Sequence, residues 1–272
     1  MRIGLFLRNM GPASSPDLMV RCATKADSLG IDDLWVLDHI AIPKEESEGS
    51  GGRYIDPLAT LAYLAGVTNN IGLGVSVLIL PYRPPLATAK WIASIQELSG
   101  GRLTLGVGAG WMEAEFKAVA VARNKRGAIT NETLAFFHQA FAADEAESNG
   151  QKFLFLPRPP RPQILVGGAQ PHALQRAIEY GEGWMPAGAS PEELRPHIDT
   201  LREGFAAAGK GAPEVIPLKA LPLENPDEAA SLLGTYAEIG VTGIDHPANY
   251  ASEDEFSEIC EKLLAAKKSA GL

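Results

Sequence analysis

The chain has 272 residues, is 46% hydrophobic, and carries 24 basic against 33 acidic side chains for a net charge of −9. That is enough apolar material for one large core. The acidic balance excludes nucleic acid as the main partner, because phosphate-backbone binding needs clustered Lys and Arg. A small phosphorylated cofactor stays open, since a few backbone amides can hold one phosphate group.

The opening MRIGLFLRNM is too short an apolar run for a signal peptide, and MRIGLFL reads as a first strand over Arg2–Leu7. No stretch reaches the roughly 18–20 apolar residues of a membrane span, so a soluble, cytoplasmic protein is expected. A loop holding Gly11, Pro12 and Pro16 leads to a helix over Pro16–Leu29, stopped by Gly30. Asp33–Leu37 is the second strand, and a glycine-rich loop, Glu45–Tyr54, follows it. Asp56 can cap a helix whose first residue is Pro57 and which runs to about Thr68.

The segment from Ile71 to Trp111 is the most informative. IGLGVSVLIL is apolar at nearly every position, as a strand buried on both faces must be. Pro84-Pro85 open a helix and Gly100-Gly101 close it. LTLGV is the fourth strand, with Gly108-Ala109-Gly110 at its carboxyl end. Helical patterns then cover Glu113–Ala122 and Asn131–Ala143, with Asn131 as the expected N-cap. Gly150–Pro162 is proline-rich, has no clear period, and reads as an excursion over the rim between the fourth and fifth strands.

Gln163–Val166 is the fifth strand and ends in Gly167-Gly168. A helix over Pro171–Tyr180, a short strand over Gly183–Met185, and a helix over Pro191–Ala208 capped by Ser190 come next. Val215–Leu221 is a seventh strand weakened by Pro217. Pro226–Ile239 with Gly240 is a helix, Gly243–His246 the eighth strand, and Glu253–Ala270 the last helix, capped by Ser252. Eight strands alternating with eight principal helices in this length predict a (β/α)8 TIM barrel forming a single domain over 1–272. A doubly wound open sheet is the alternative, weakened because no GxGxxG follows the first strand. Cys22 and Cys260 fall on predicted helices outside any metal-ligand or CxxC spacing and read as reduced, buried thiols.

In such a barrel the chemistry sits at the carboxyl ends of the strands. The second strand ends in Asp38-His39. Histidine moves protons near neutral pH and an adjacent carboxylate can orient it, although the pair could equally serve only to bond loop backbone. Asp245-His246 ends the eighth strand and is followed by a proline, which fits a turn as well as a site. His138, His172 and His197 lie on helices and read as surface or packing residues. Gly167-Gly168-Ala169 before a helix can cradle a phosphate or can simply turn the chain. Gly108-Ala109-Gly110 leaves room for a flat ring or for close packing, and Trp111 could stack on such a ring or fill the barrel mouth. No metal-ligand cluster, GxSxG or Walker loop is present.

Three blocks together resemble the bacterial luciferase-like monooxygenase superfamily, and within it the coenzyme F420-dependent oxidoreductases. They are LWVLDHIAIP, LGVSVLILPYRPPLATAKWIASIQELSGGRLTLGVGAGWMEAEF, and ILVGGAQPHALQRAIEYGEGWMP. The resemblance implies a barrel with F420, or alternatively FMN, bound at its carboxyl face. It implies a non-prolyl cis peptide at Ser76–Val77 in a bulge behind the cofactor ring. Gly108, Ala109, Gly110, Gly167, Gly168 and Ala169 match positions lining the cofactor and its phosphate, and His39 matches an active-site histidine that some relatives use in proton transfer. Asp38 is expected to orient His39 or to contact the cofactor. Trp111 stands where the sugar-phosphate dehydrogenases of the family carry an acidic residue. Ala109 and Gly108 stand where true luciferases carry a phosphate-binding arginine and a reactive cysteine. These departures argue against both activities and tip the balance from FMN to F420. The implied function is hydride transfer between deazaflavin and a small organic substrate, in a homodimer. An FMN-dependent monooxygenase and an F420-binding protein without turnover are the alternatives.

Overall fold

In the computed structural model, which describes residues 1–272, eight parallel strands form a nearly closed barrel wrapped by helices. In chain order the elements are β1 (Arg2–Phe6), α1 (Pro16–Leu29), β2 (Asp33–Val36), α2 (Pro57–Ala65), β3 (Gly72–Ile79), α3 (Pro85–Leu98) and β4 (Leu103–Gly108). They continue with α4 (Glu113–Ala118), α5 (Arg126–Ala142), β5 (Glu145–Ser148), β6 (Gln151–Leu154), β7 (Gln163–Gly167), α6 (His172–Tyr180) and β8 (Gly183–Met185). The last are α7 (Pro191–Ala207), β9 (Glu214–Val215), α8 (Pro226–Ile239), β10 (Gly243–His246) and α9 (Glu253–Ser269). The barrel order is β10-β1-β2-β3-β4-β7-β8-β9, and the fold is the expected (β/α)8 TIM barrel. No helix is long and apolar enough to cross a membrane.

Most helix ends fall where the chain's own chemistry puts them. Ser15, Asp56, Ser190 and Ser252 each cap a helix with a side-chain oxygen, and Ser190 completes a reciprocal capping box with Glu193. Gly30 and Gly240 end α1 and α8 in the left-handed conformation. Cys22 and Cys260 are buried and free.

Four expectations are corrected. Asn131 does not cap a helix: α5 begins at Arg126, and the Asn131 side chain instead accepts a hydrogen bond from Arg176. The helix after β4 stops at Ala118, two residues before Ala120 turns the chain with φ +57°. The seventh strand is regular only over Glu214–Val215, because Pro217 has no N–H for the ladder. The seam still closes: Asp245 donates its N–H to the Pro217 carbonyl, and Lys219 donates to the Asp245 carbonyl. Finally, the proline-rich excursion carries the hairpin β5–β6, which pairs antiparallel. The hairpin follows the lower end of α5 and leads into the amino end of β7. Its tail is held by Gln96 on the Pro160 carbonyl and by Phe155 against Phe141. It therefore lies away from the carboxyl face and does not shape the pocket there.

The inside of the barrel is filled by Phe6, Trp35, Leu165, Met185 and Ile216. The Trp35 indole lies flat across β1 and β3, in space that only glycine leaves. A Cβ on Gly4 would sit 2.4 Å from its Nε1, and one on Gly74 would sit 2.3 Å from its ring carbons. Gly74→Ala should therefore cost about 1–3 kcal/mol by overpacking. A urea melt checks this: the midpoint should fall with an unchanged slope, and an unshifted midpoint would mean the indole has somewhere else to go.

Candidate active site

Three connected hollows occupy the carboxyl face. The innermost, about 160 Å³, is lined by Leu37, Asp38, His39, Ser76, Val77 and Tyr82, among others. It opens into a cleft of about 660 Å³ that runs past Gly108–Trp111 and Gly167–Gln170 to Asn124, Arg126, His172 and Arg176. A third hollow, about 620 Å³, shares Gly168, Ala169 and Gln170 with the cleft and continues to Trp184, Gly188 and His197.

The floor between the first two hollows is a bulge in β3. The register against β4 shifts between Val75 and Leu78, and Ser76–Val77 is a non-prolyl cis peptide, as the resemblance implied. Gly108 and Gly167 make room for Val77. A Cβ at either position would approach the Val77 methyl groups to 2.6 and 2.8 Å. Of the two alternatives the sequence left at Gly108, close packing is thus the one the geometry displays, and the side chain so accommodated forms the cleft wall.

His39 sits at the edge of the innermost hollow with its Nδ1 3.0 Å from Glu115 Oε2. Its Nε2 has no partner in the protein. Tyr54 packs at 5.0 Å and Trp111 stands edge-on at 6.4 Å, between ring centroids. Trp111 is 62% exposed and lines both hollows, so it does not fill the barrel mouth.

Glu115 is the residue that the sequence reading missed. It comes from the first turns of α4 and its side chain is 1% exposed. Oε1 accepts the backbone N–H groups of Ile40 and Ala41 at 2.6 and 2.9 Å. Oε2 accepts the Tyr82 hydroxyl at 3.0 Å, beside His39. Burial alone would raise the Glu115 pKa. The two amides and His39 outweigh it and hold the carboxyl below its ordinary value. The usable signal was a charged residue on the apolar stripe Met112–Phe116, where a glutamate is tolerated only with partners.

Asp38 does not orient His39. Its carboxylate forms a bidentate pair with Arg83, at 2.6 and 2.8 Å, and accepts the Ile79 N–H at 2.8 Å. Arg83 also reaches Asp56, the cap of α2. Asp38 therefore fastens the end of β3 to the loop after β2, and the orienting task expected of it falls to Glu115. Asp245-His246 does not form a catalytic pair either. His246 is buried, accepts the Leu221 N–H on Nδ1, and is pushed down to about 4 by burial. Asp245 points into the barrel. His138 packs as expected, bonding the Tyr180 carbonyl, whereas His172 and His197 line the two outer hollows.

At the far end of the cleft two arginines lack any carboxylate partner. Arg176 bonds Asn131 Oδ1 at 2.6 Å, and Arg126 bonds the Arg123 carbonyl at 3.1 Å. Burial and the neighbouring Arg126 both lower the Arg176 pKa. Two adjacent like charges in a chain of net charge −9 are suited to an anion.

Removing the Glu115 charge should be felt in stability. Glu115→Gln turns an N–H₂ toward groups that already donate, and should cost about 1.5–3 kcal/mol at neutral pH. Because the folded pKa is depressed, this contribution is full above the ordinary glutamate range and is lost as pH falls through the folded value. Urea midpoints of both proteins between pH 7 and 3 should therefore converge at the acid end. A gap that stays constant would show that charge is not what Glu115 contributes.

The comparisons with known proteins agree with this architecture. Residues 1–239 match the family model for luciferase-like monooxygenases. An uncharacterised protein of Mycobacterium tuberculosis is 31% identical over 209 residues, covering 70% of this chain and 72% of its own. Among solved structures, the monooxygenase RslO1 from Streptomyces bottropensis superposes with a TM-score of 0.81 at 21% identity, over 97% of this chain and 98% of its own. An F420-dependent secondary alcohol dehydrogenase, in complex with an F420–acetone adduct, gives 0.80 at 17% identity over 97% and 98%. The FMN-bound oxygenating constituent of 3,6-diketocamphane monooxygenase from Pseudomonas putida gives 0.78 at 16% identity over 100% and 98%. The chain belongs to the luciferase-like monooxygenase family, whose neighbours use either F420 or FMN.

Proposed function

We propose that the chain is a coenzyme F420-dependent oxidoreductase that moves a hydride between the deazaflavin and a small organic substrate. One observation carries the reading. His39, fixed by Glu115, presents a free nitrogen to a hollow whose floor is the β3 bulge, and the adjoining cleft ends in two unpaired arginines. The dimensions and chemistry suit a flat ring at one end and an anionic group at the other. Ser76 and Val77 would back the ring, Gly108–Trp111 would flank it, and Gly167–Ala169 with Arg126 and Arg176 would hold the phosphate.

When bound, the deazaflavin supplies the hydride chemistry. The protein's part is to place it and to handle a proton. Glu115 accepts a hydrogen bond from the His39 Nδ1–H, which fixes the ring orientation and leaves Nε2 to give or take a proton at the substrate. Tyr82, donating to the same carboxylate, keeps that side of the hollow filled.

The alternative is an FMN-dependent monooxygenase using reduced flavin and oxygen, which the flavin-bound relatives support. The residues at 108 and 109 favour F420: a glycine and an alanine stand there, and both anion-binding arginines come from the α5 and α6 side instead. A binding protein without turnover is the third reading. All three are separated by titrating the protein with F420 and with FMN, following fluorescence, and then assaying turnover. F420 should bind at least tenfold more tightly than FMN, and the reverse order would move the chemistry to oxygen. Arg176→Ala should weaken that binding about tenfold, as expected for a lost charged hydrogen bond. His39→Asn should leave affinity within a few-fold and lower kcat by about 10²–10⁴, the range of a lost general acid or base. An unchanged kcat would remove His39 from the mechanism.

A further inference from the structure

One buried group has no place in the arrangement above. Asp245, at the seam where β10 closes the barrel, is fully buried among the interior side chains, and neither carboxyl oxygen is held in a well-formed hydrogen bond, the Ser76 hydroxyl lying close by. Its strand neighbours Ile244 and His246 face the other way, with Ile244 in the outer core. Around the carboxyl, β1 offers only Gly4, which lies in register with it. β2 offers Asp33, a second acid that is itself engaged by Arg2, and the closing segment offers Ile216 and Leu218. No cation faces it. The polar side chain that does is Ser76 on β3, which also lines the innermost hollow. The Trp35 indole N–H, the other orphaned polar atom of the barrel interior, lies over Gly4 on the strand beside Asp245.

An isolated carboxylate in such surroundings costs far more than a neutral acid, so the group keeps its proton. Burial drives its pKa well up; the Ser76 hydroxyl beside it pulls the other way and the nearby Asp33 pushes with burial, and burial wins. A neutral acid is a donor as well as an acceptor, and an interior made of Phe6, Leu165, Met185 and Ile216 gives it no acceptor of its own. For stability alone a leucine would serve better at this position.

We infer that Asp245 is a positioning residue: as a neutral carboxylic acid it donates to the Ser76 hydroxyl and thereby fixes the floor against which a cofactor ring rests. The inference rests on the proposed cofactor site for its purpose, but the state of Asp245 is testable without any cofactor. In the infrared spectrum of the apoprotein at pH 7, the wild-type-minus-Asp245→Asn difference should show the carbonyl stretch of a protonated carboxylic acid, sensitive to D2O exchange. Ser76→Ala should move that band to higher frequency. No such band, or a band indifferent to Ser76, overturns the inference.

Affinity provides the second arm. Asp245→Leu should match or exceed the wild type in thermal stability, yet bind the preferred flavin or deazaflavin about tenfold more weakly, the size of one hydrogen bond's effect. Asp245→Asn, which keeps a neutral donor of the same shape, should restore most of that affinity. If Asp245→Leu only destabilises and leaves affinity unchanged, Asp245 is structural and the inference fails. Should Asp245→Leu not fold, Ser76→Ala and Asp245→Asn still decide it. A wild type that binds neither F420 nor FMN sinks the proposed function, and the infrared bands then decide the state of Asp245 by themselves.

Discussion

The mouth of this barrel is gathered at a single carboxylate. Glu115 takes two backbone amides from the loop after β2, a hydroxyl from the turn after β3, and an imidazole at the edge of the hollow. Four donors on two oxygens satisfy a buried negative charge that would otherwise be untenable. Through them α4 is bound to segments that come 33 to 76 residues earlier in the chain. Asp38 does a parallel job one layer below, tying Arg83 and the Ile79 amide, and Arg83 passes the connection on to the cap of α2. The position of His39 is therefore the result of two buried carboxylates acting on loops. Its orientation depends on neither strand geometry nor its neighbour in sequence.

That arrangement explains what could be read from the sequence and what could not. The β3–α3–β4 segment announced itself because strands buried on both faces are continuously apolar, and because prolines and glycines mark the helix ends in local code. The same code placed α1, α7, α8 and α9 to within a residue or two. His39 was legible from its place after a strand, and Ser76–Val77 from family resemblance. Glu115 was not, because its role is defined by partners distant in sequence, and its helix looks like any short amphipathic turn. Arg126 and Arg176 were missed for a related reason: a cation reads as surface until its lack of a carboxylate is visible. The expectation that Asp38 would orient His39 came from adjacency. Neighbours along a strand end point in different directions, so the acid beside a histidine is poorly placed to hold it.

Family membership and bottom-up geometry constrain different things. The family model and the solved neighbours establish the barrel and the general class of chemistry, and they divide between deazaflavin and flavin. The geometry adds which carboxylates of this chain are satisfied by partners, and that the far end of the cleft is bordered by two arginines without a carboxylate partner. The hairpin β5–β6, packed against α3 and α5, takes no part in either. Variation between relatives at that hairpin would leave the mouth of the barrel as it is.

The wedging of Val77 between Gly108 and Gly167 has a consequence for how this site could change. Three strands meet at one side chain, and its two methyl groups fill the volume that two absent β-carbons would occupy. The three positions form a single steric unit, in which gain at one requires loss at another. An alanine at 108 or 167 becomes admissible only alongside something smaller at 77, and a larger wall residue is closed to the chain altogether. The depth of the hollow is thus inherited as a matched set, and a drift toward a bulkier or slimmer ring must cross a pair of coordinated substitutions instead of a single one.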